Sequence, residues 1–382
     1  MTASELIKLI PQQTFSDLAI KTNVDTQVKK LSGEVIFKLI LFSMLNSEKM
    51  SLRVMERFLH SAQFKVFSKY DILDGKYNSI RDRICTINAD YFEQLFQKVF
   101  SIYSKELKEE NALSKTDSTC VSLAAKLLTE GIEMGSDNRK FVKYSVNIKG
   151  SIPSSVKVHT EQRYASDELA MAELINESDC LEGDVVVFDR GIRSRPSFDK
   201  FTDKNKLFVS RADPNVRCKV VESKEVPNKP NGSSVTLSSD QTGLLICRKN
   251  KETLHKYRVI KGNIDKSGLP ICFVTNILDE DAYTIAKWYK QRWDIEVFFK
   301  FIKQHLSAKH LVSRDINGIK VMIYMTMILA TLIIAYKKIN RIEGFKMAKL
   351  KFELELESEI TKTIVILCGG DPDRAPHLFN SA

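Results

Sequence analysis

Apolar residues recur every three to four positions through the first 110 residues, which predicts helices throughout with no strand pattern between them. The last of these helices carries Tyr91, Phe92, Leu95, Phe96, Val99, Phe100 and Tyr103 at helical spacing, before a run of Lys and Glu. Earlier, Ser51 reads as the cap of Ser-Leu-Arg-Val-Met-Glu-Arg-Phe-Leu-His, and Ser79 as the start of a basic helix with Arg81 and Arg83 near its beginning. Two short helices, the second basic, permit a helix-turn-helix that reads DNA, although any small helical bundle has the same pattern.

From about residue 113 the period changes from helix to strand. Residues 113–123, 141–148 and 155–160 predict strands and residues 166–178 a helix. The continuous apolar run Gly-Asp-Val-Val-Val-Phe-Asp-Arg-Gly at 183–191 predicts a strand buried on both faces, and another strand follows near 207–213. Strands alternating with a helix around a buried strand indicate an α/β core. Between 214 and 279 short β-rich pieces alternate with the turn-rich Asn-Lys-Pro-Asn-Gly-Ser-Ser and Lys-Ser-Gly-Leu-Pro, which predicts a small β-rich insertion. Helix returns near 280, including one continuous helix over Trp-Tyr-Lys-Gln-Arg-Trp-Asp-Ile-Glu-Val-Phe-Phe-Lys-Phe-Ile-Lys-Gln-His-Leu. The longest apolar run, Val321 to Tyr336, is bounded by Lys320, Lys337 and Lys338. It falls short of the roughly 20 residues that span a bilayer, so a buried helix is expected and no membrane.

The resulting division is a helical, candidate DNA-binding region at 1–110, the first part of an α/β core at 111–213, the β-rich insertion at 214–279, the second part of the core at 280–345, and a carboxy-terminal helix and tail at 346–382. A chain of 382 residues is long enough for two or three domains with a real core. Its 58 Lys and Arg against 48 Asp and Glu favour a polyanionic partner without identifying one. Seven scattered cysteines with no Cys-x-x-Cys pair speak against a disulfide framework or a zinc site and fit a reducing cytoplasm. The amino terminus lacks a basic stretch followed by a long apolar core, so no secretory signal is expected.

The candidate chemistry sits in three places. Within the predicted helix, Tyr289, Arg292, Glu296 and Lys303 fall within about 60° of one another on a stripe roughly 21 Å long. Guanidinium and ammonium groups there suit phosphate oxygens and the carboxylate suits a metal ion, while the same stripe also reads as a solvated face. Asp294 points about 160° away from Glu296 by helical geometry. Asp117 lies in an apolar-flanked strand and Asp189 closes Val-Val-Val-Phe; carboxylates at strand ends converge where α/β sheets place ligands, and each also reads as a turn residue. Three carboxylates suit two Mg²⁺ or Mn²⁺ ions and phosphoryl displacement. Arg190, Arg193, Arg195 and Lys300 are further candidates for phosphate contact. His159 reads as a strand histidine rather than a ligand, His305 and His310 lack a third ligand, and Trp288 and Trp293 read as core anchors.

The order Lys-Thr-Asp-Ser-Thr around Asp117, Val-Val-Val-Phe-Asp-Arg-Gly around Asp189, and Tyr-x2-Arg-x3-Glu-x6-Lys resembles DDE transposases of the insertion-sequence "four" family. The resemblance covers about 113 to 340, and the late arrival of Glu296 after a β-rich insertion belongs to the same pattern. It implies a ribonuclease H-like mixed sheet with flanking helices, interrupted by that insertion and preceded by an all-α region. It further implies Asp117, Asp189 and Glu296 as a triad holding two Mg²⁺ or Mn²⁺ ions, and Tyr289, Arg292 and Lys303 as a grip on terminal DNA phosphates, with Arg190 and Lys300 alongside. The partners implied are double-stranded transposon ends and target DNA, the assembly a homodimer on DNA, and the location the bacterial cytoplasm, at the nucleoid when DNA-bound. Some relatives stack a flipped base on an aromatic residue of the insertion. Here both tryptophans lie in the signature helix, leaving Phe208, Tyr257 or Phe273 as stacking surfaces or as core. A non-catalytic DNA-binding relic or regulator and a structure-selective nuclease of the same fold are the alternatives.

Overall fold

A computed structural model describes residues 1–70, 74–109, 113–123, 131–133, 140–178, 183–247, 250–306 and 312–374. Contacts divide the chain into a helical unit, 1–108 with 124–130 and 300–382, and an α/β unit, 109–123 with 131–299. The helical unit contains α1 (Ala3–Lys8), α2 (Gln12–Thr22), α3 (Gly33–Leu45), α4 (Leu52–Leu59), α5 (Ala62–Ser68), α6 (Tyr77–Thr86) and α7 (Ala89–Glu106), together with the late helices α12 (Ile316–Ile339) and α13 (Phe345–Leu367).

The apolar run at 321–336 becomes α12, a helix long and apolar enough to cross a membrane whose most apolar stretch is 94% buried. It packs along α7, and Asn317 near its start donates to the carbonyls of Cys85 (3.2 Å) and Ile87 (2.6 Å), which terminates α6 against it. Ser51 caps α4 by accepting from the Val54 amide. The basic helix begins at Tyr77, two residues before the expected Ser79, and has no side-chain cap. Its Arg83 is turned inward: the guanidinium donates to the carbonyls of Leu31 (2.9 Å) and Val24 (2.7 Å) and pairs with Asp25, so it ties the bundle together and is not a free cation.

In the α/β unit the predicted strands form close to their expected positions: β1 (Ser114–Leu123), β3 (Lys140–Lys149), β4 (Ile152–His159), β5 (Val185–Phe188) and β6 (Leu207–Arg211), with the predicted α8 (Asp167–Glu177) between β4 and β5; the short β2 (Ile132–Glu133) and α9 (Arg195–Asp203), between β5 and β6, were not expected. The antiparallel β4–β3–β1 run is followed by β5 parallel to β1 and β6 parallel to β5, which is the ribonuclease H-like order. The predicted insertion does not stand apart as its own sheet. Strands β7 (Cys218–Lys224), β8 (Val235–Ile246), β9 (Glu252–Ile264) and β10 (Pro270–Thr275) extend the same sheet from β6 in the order β10–β9–β8–β7. Strand β8 spans what the sequence pattern divides into two pieces.

Burial of β5 on both faces explains its unbroken apolar run. Val186 and Phe188 pack with Met171 and Ile175 of α8 and Phe198 and Phe201 of α9. Val185 and Val187 pack with Ile285 and Ala286 of α10 (Ala282–Lys290) on the opposite face. Each such side chain, fully buried, contributes about 1.5–3 kcal/mol. Phe208, Tyr257 and Phe273 are 0–1% exposed, so all three are core residues and none is a stacking surface.

The one continuous helix expected over 288–306 is two helices. α10 ends at Lys290 and α11 (Trp293–His305) begins after a bend. The amides of Gln291, Arg292, Asp294 and Ile295 each reach back three residues, at 3.0–3.2 Å, which tightens the chain between the two helices. No glycine or proline marks this break. It follows from tertiary ties described below, which is why local pattern did not reveal it. Trp293 on the bend is 60% exposed, contrary to its expected anchoring role, whereas Trp288 packs against the Val185 and Val187 core.

Candidate active site

Strand register decides what the site contains. Ser114 lies opposite Val186 and Lys115 opposite Val187, so the same parallel register brings Asp117 level with Asp189, just where β1 and β5 cease to pair. Phe188 lies opposite Ser210, which likewise brings Arg211 level with Asp189. Neighbouring strands are about 4.8 Å apart, so three side chains from distant parts of the sequence meet along one line. Arg211 was missed by sequence reasoning; the signal available was an arginine ending an apolar strand.

Each carboxylate is held locally. The Ser118 amide donates to Asp117 Oδ1 (2.7 Å) and the Gly191 amide to Asp189 Oδ1 (2.7 Å). A Cβ at Gly191 would stand 2.8 Å from that Asp189 oxygen and 2.4 Å from the Met171 methyl, so glycine is what lets the loop close over the carboxylate. Ser194 after it is fastened by its amide to Glu168 (2.7 Å).

Arg292, at the bend, joins the third acid to this pair. Its Nη2 donates to Glu296, and its Nη1 lies 3.9 Å from Asp117 Oδ2, so one guanidinium is flanked by two of the three carboxylates. Burial pushes Asp117 up to about 6; the Ser118 amide opposes this, the Asp189 charge adds to it, Arg292 opposes it and Asp167 adds. Burial works against the Arg292 charge, but the bond to Glu296 and the proximity of Tyr289 and Asp117 outweigh it and hold the guanidinium protonated. Tyr289, at the end of α10, packs its ring against Phe273 in a tilted contact at 5.2 Å. Burial raises its phenol pKa, against the charges of Arg292 and Arg211.

Asp117, Asp189, Tyr289, Arg292 and Glu296 are thus brought together in the α/β unit. Lys300 and Lys303 follow on α11 within the helical unit, Lys300 exposed and Lys303 half-buried with interactions of its own. Arg190 and Arg193 are exposed on the loop after Asp189, while Arg195 is drawn onto the Phe198 ring at 5.4 Å. Asp167 is a fourth acid that sequence reasoning passed over: it is felt at Asp117 and held by buried Lys143 at 2.7 Å. His159 is 2% exposed, bonded to Ser145 at 3.1 Å and in tilted ring contact with Tyr164; burial lowers it to about 4, which makes it a core histidine. His305 lies in tilted ring contact with Phe301, and His310 lies outside the described residues.

The donors suit a hard divalent cation, being carboxylate oxygens only. The raised Asp117, buried against a second acid with one shared guanidinium, is the observation that fits an additional positive charge. As the side chains stand, among the described residues no three Asp, Glu, His or Cys groups close around one point, and Glu296 is turned onto Arg292.

A family model described as a transposase DDE domain matches residues 117–332, beginning at Asp117 and including Asp189 and Glu296. The chain is similar to "Probable transposase for insertion sequence element IS5377" of Geobacillus stearothermophilus, 26% identical over 269 residues that cover 69% of this chain and 67% of the relative. It is similar to "Putative transposase for insertion sequence element IS4SA" of Synechocystis, 28% identical over 258 residues covering 65% and 67%. A third relative, "Putative transposase y4zB" of Sinorhizobium fredii, is 27% identical over 163 residues, 42% of this chain and 44% of that protein.

Proposed function

This chain belongs to the transposase DDE domain family, and on that premise we propose that it binds the inverted-repeat ends of an insertion sequence, cuts DNA there and joins the freed strand to target DNA. The observation that carries the reading is the register that sets Asp117 beside Asp189, with Arg292 linking Glu296 to them. Asp117, Asp189 and Glu296 would hold the divalent ions, two Mg²⁺ or Mn²⁺. Such ions, when bound, lower the pKa of water or a 3′-hydroxyl and stabilise the leaving oxygen of a phosphodiester displacement. The spacing of Tyr289, Arg292, Glu296 and Lys303 supports placement in the insertion-sequence "four" family.

The remaining residues act on the DNA strand. Arg292 and Arg211 present charge beside the acids, and a bidentate guanidinium holds a phosphate in fixed orientation. The Tyr289 hydroxyl, kept protonated by burial, is a hydrogen-bond donor at neutral pH. Arg190, exposed next to Asp189, adds a cation along the strand's path, with Lys300 and Lys303 further contacts to the backbone. The functional assembly on DNA would be a homodimer, one subunit per end.

The test is cleavage of a duplex carrying the terminal repeats of the element that encodes this chain, with Mg²⁺ or Mn²⁺ present. Wild type should nick the end, and Asp189→Asn should lower the rate by at least a hundredfold. Equal cleavage by the two proteins would remove the triad assignment. End binding without cleavage by wild type would instead indicate a DNA-binding relic, and preference for a branched junction over the end would indicate a structure-selective nuclease.

A further inference from the structure

We propose that Lys115 is a positioning residue, a buried strut that sets the Arg292–Glu296 bend against Asp117 through Asp294; this rests on the reading of the three acids as metal ligands. Lys115 is 3% exposed, an unusual place for an ammonium, since a buried charge costs several kcal/mol unless it is paired and hydrogen-bonded. Its Nζ has two partners: it donates to the Gly150 carbonyl at 2.6 Å and pairs with Asp294 Oδ2 at 3.0 Å.

The first partner fixes where the ammonium stands. Gly150 holds φ +63 in the turn between β3 and β4, and a Cβ there would sit 2.7 Å from the Glu109 carboxylate. Glu109 in turn accepts from the Ser151 amide (3.0 Å) and hydroxyl (2.8 Å). The carbonyl that anchors Lys115 is therefore part of a tightly tied turn.

The second partner is where the strut reaches the site. Asp294 lies in the first turn of α11, two residues after Arg292 and two before Glu296, where the backbone bonds reach back three residues instead of four. Lys115 and Asp117 share one face of β1, about 6.8 Å apart along the strand. The chain at 292–296 thus meets β1 at two neighbouring points, Asp294 on Lys115 and Arg292 on Asp117. Asp294 is 59% exposed whereas Lys115 is buried and tied to the Gly150 carbonyl, so the pair is asymmetric: the lysine determines where the carboxylate, and with it the start of α11, is held. Partners one shell out from a metal's ligands typically contribute 10- to 100-fold in affinity.

The experiment measures Mn²⁺ binding by electron paramagnetic resonance on the full chain without DNA, alongside urea unfolding. Lys115→Met keeps the stem's bulk and removes the charge; it and Asp294→Ala should each weaken Mn²⁺ by about 10- to 100-fold. Asp294→Asn retains an oxygen acceptor and should stay close to wild type. The double variant Lys115→Met with Asp294→Ala should bind no more weakly than Lys115→Met, because both remove one interaction. Wild-type Mn²⁺ affinity in Lys115→Met, or additive losses in the double variant, would overturn the proposal. Should Lys115→Met fail to fold, Asp294→Ala decides: its urea midpoint should fall, because the buried ammonium loses its counter-charge, and its Mn²⁺ affinity, read where far-ultraviolet dichroism shows the chain folded, should fall as well; unchanged affinity overturns the strut. An Asp189→Asn control that binds Mn²⁺ as wild type does would instead overturn the ligand reading on which the strut depends.

Discussion

Replacing Asp117 by Asn should stabilise the metal-free protein, because the folded chain pushes this carboxyl from 3.8 up to about 6. The side chain is 23% exposed, and burial is the largest cause. That rise from 3.8 to about 6 corresponds to about 3 kcal/mol of penalty for the ionised form, and an amide resembles the protonated acid. For an acid raised in the folded state, stability is fully present below the unfolded value of 3.8 and is lost as pH rises through about 6. Asp117→Asn should therefore exceed wild type by up to about 3 kcal/mol at pH 7.5, and the gap should close as pH falls through 6 towards 4. Both tryptophans, Trp288 and Trp293, belong to the α/β unit, so tryptophan fluorescence in urea follows the part of the chain that matters. Mn²⁺ at about 100 times its dissociation constant should add about 2.7 kcal/mol to wild type, nearly cancelling the gap, and much less to the variant. A variant less stable than wild type at pH 7.5, or a gap that does not change between pH 7.5 and 5, would refute the reasoning.

Two further outcomes follow from the same geometry. Arg292→Ala should weaken binding to end DNA and reduce the slope of log affinity against log salt by about 0.9, the share of one phosphate contact; a fluorescence-anisotropy salt series with an unchanged slope would argue against that contact. Gly191→Ala brings a methyl to 2.8 Å from Asp189 Oδ1, and the Met171 methyl can yield more readily than the tied carboxylate. Its strand-cleavage rate should fall by about 10- to 100-fold, with the far-ultraviolet dichroism spectrum preserved, and a wild-type rate would show that the loop absorbs the methyl without moving Asp189.

Much of this was legible along the chain because it depends on local repetition. The period-3.6 pattern of Tyr91 to Tyr103 gave α7, the unbroken Val-Val-Val-Phe gave a strand covered on both faces, and the spacing of Asp117, Asp189 and the Tyr289 to Lys303 set gave the family resemblance. The break at Gln291–Arg292 was not legible. Its residues are ordinary helix formers, and the deciding contacts, Lys115 on Asp294 and Arg292 on Asp117, come from a strand more than 170 positions earlier. Arg83 shows the same limit: its charge suited the basic helix of a helix-turn-helix, and three acceptors from another part of the bundle drew it inside.

By itself, the sequence determined which residue types the site would use and which segments would be helix or strand, since side-chain chemistry and hydrophobic period belong to neighbouring residues. Only the tertiary structure decided that Asp117, Asp189 and Arg211 lie level, that the insertion extends the central sheet, and that Glu296 is presently bound by Arg292. Those outcomes depend on strand register and on which buried charges find partners, and both are fixed by contacts between residues far apart in the chain.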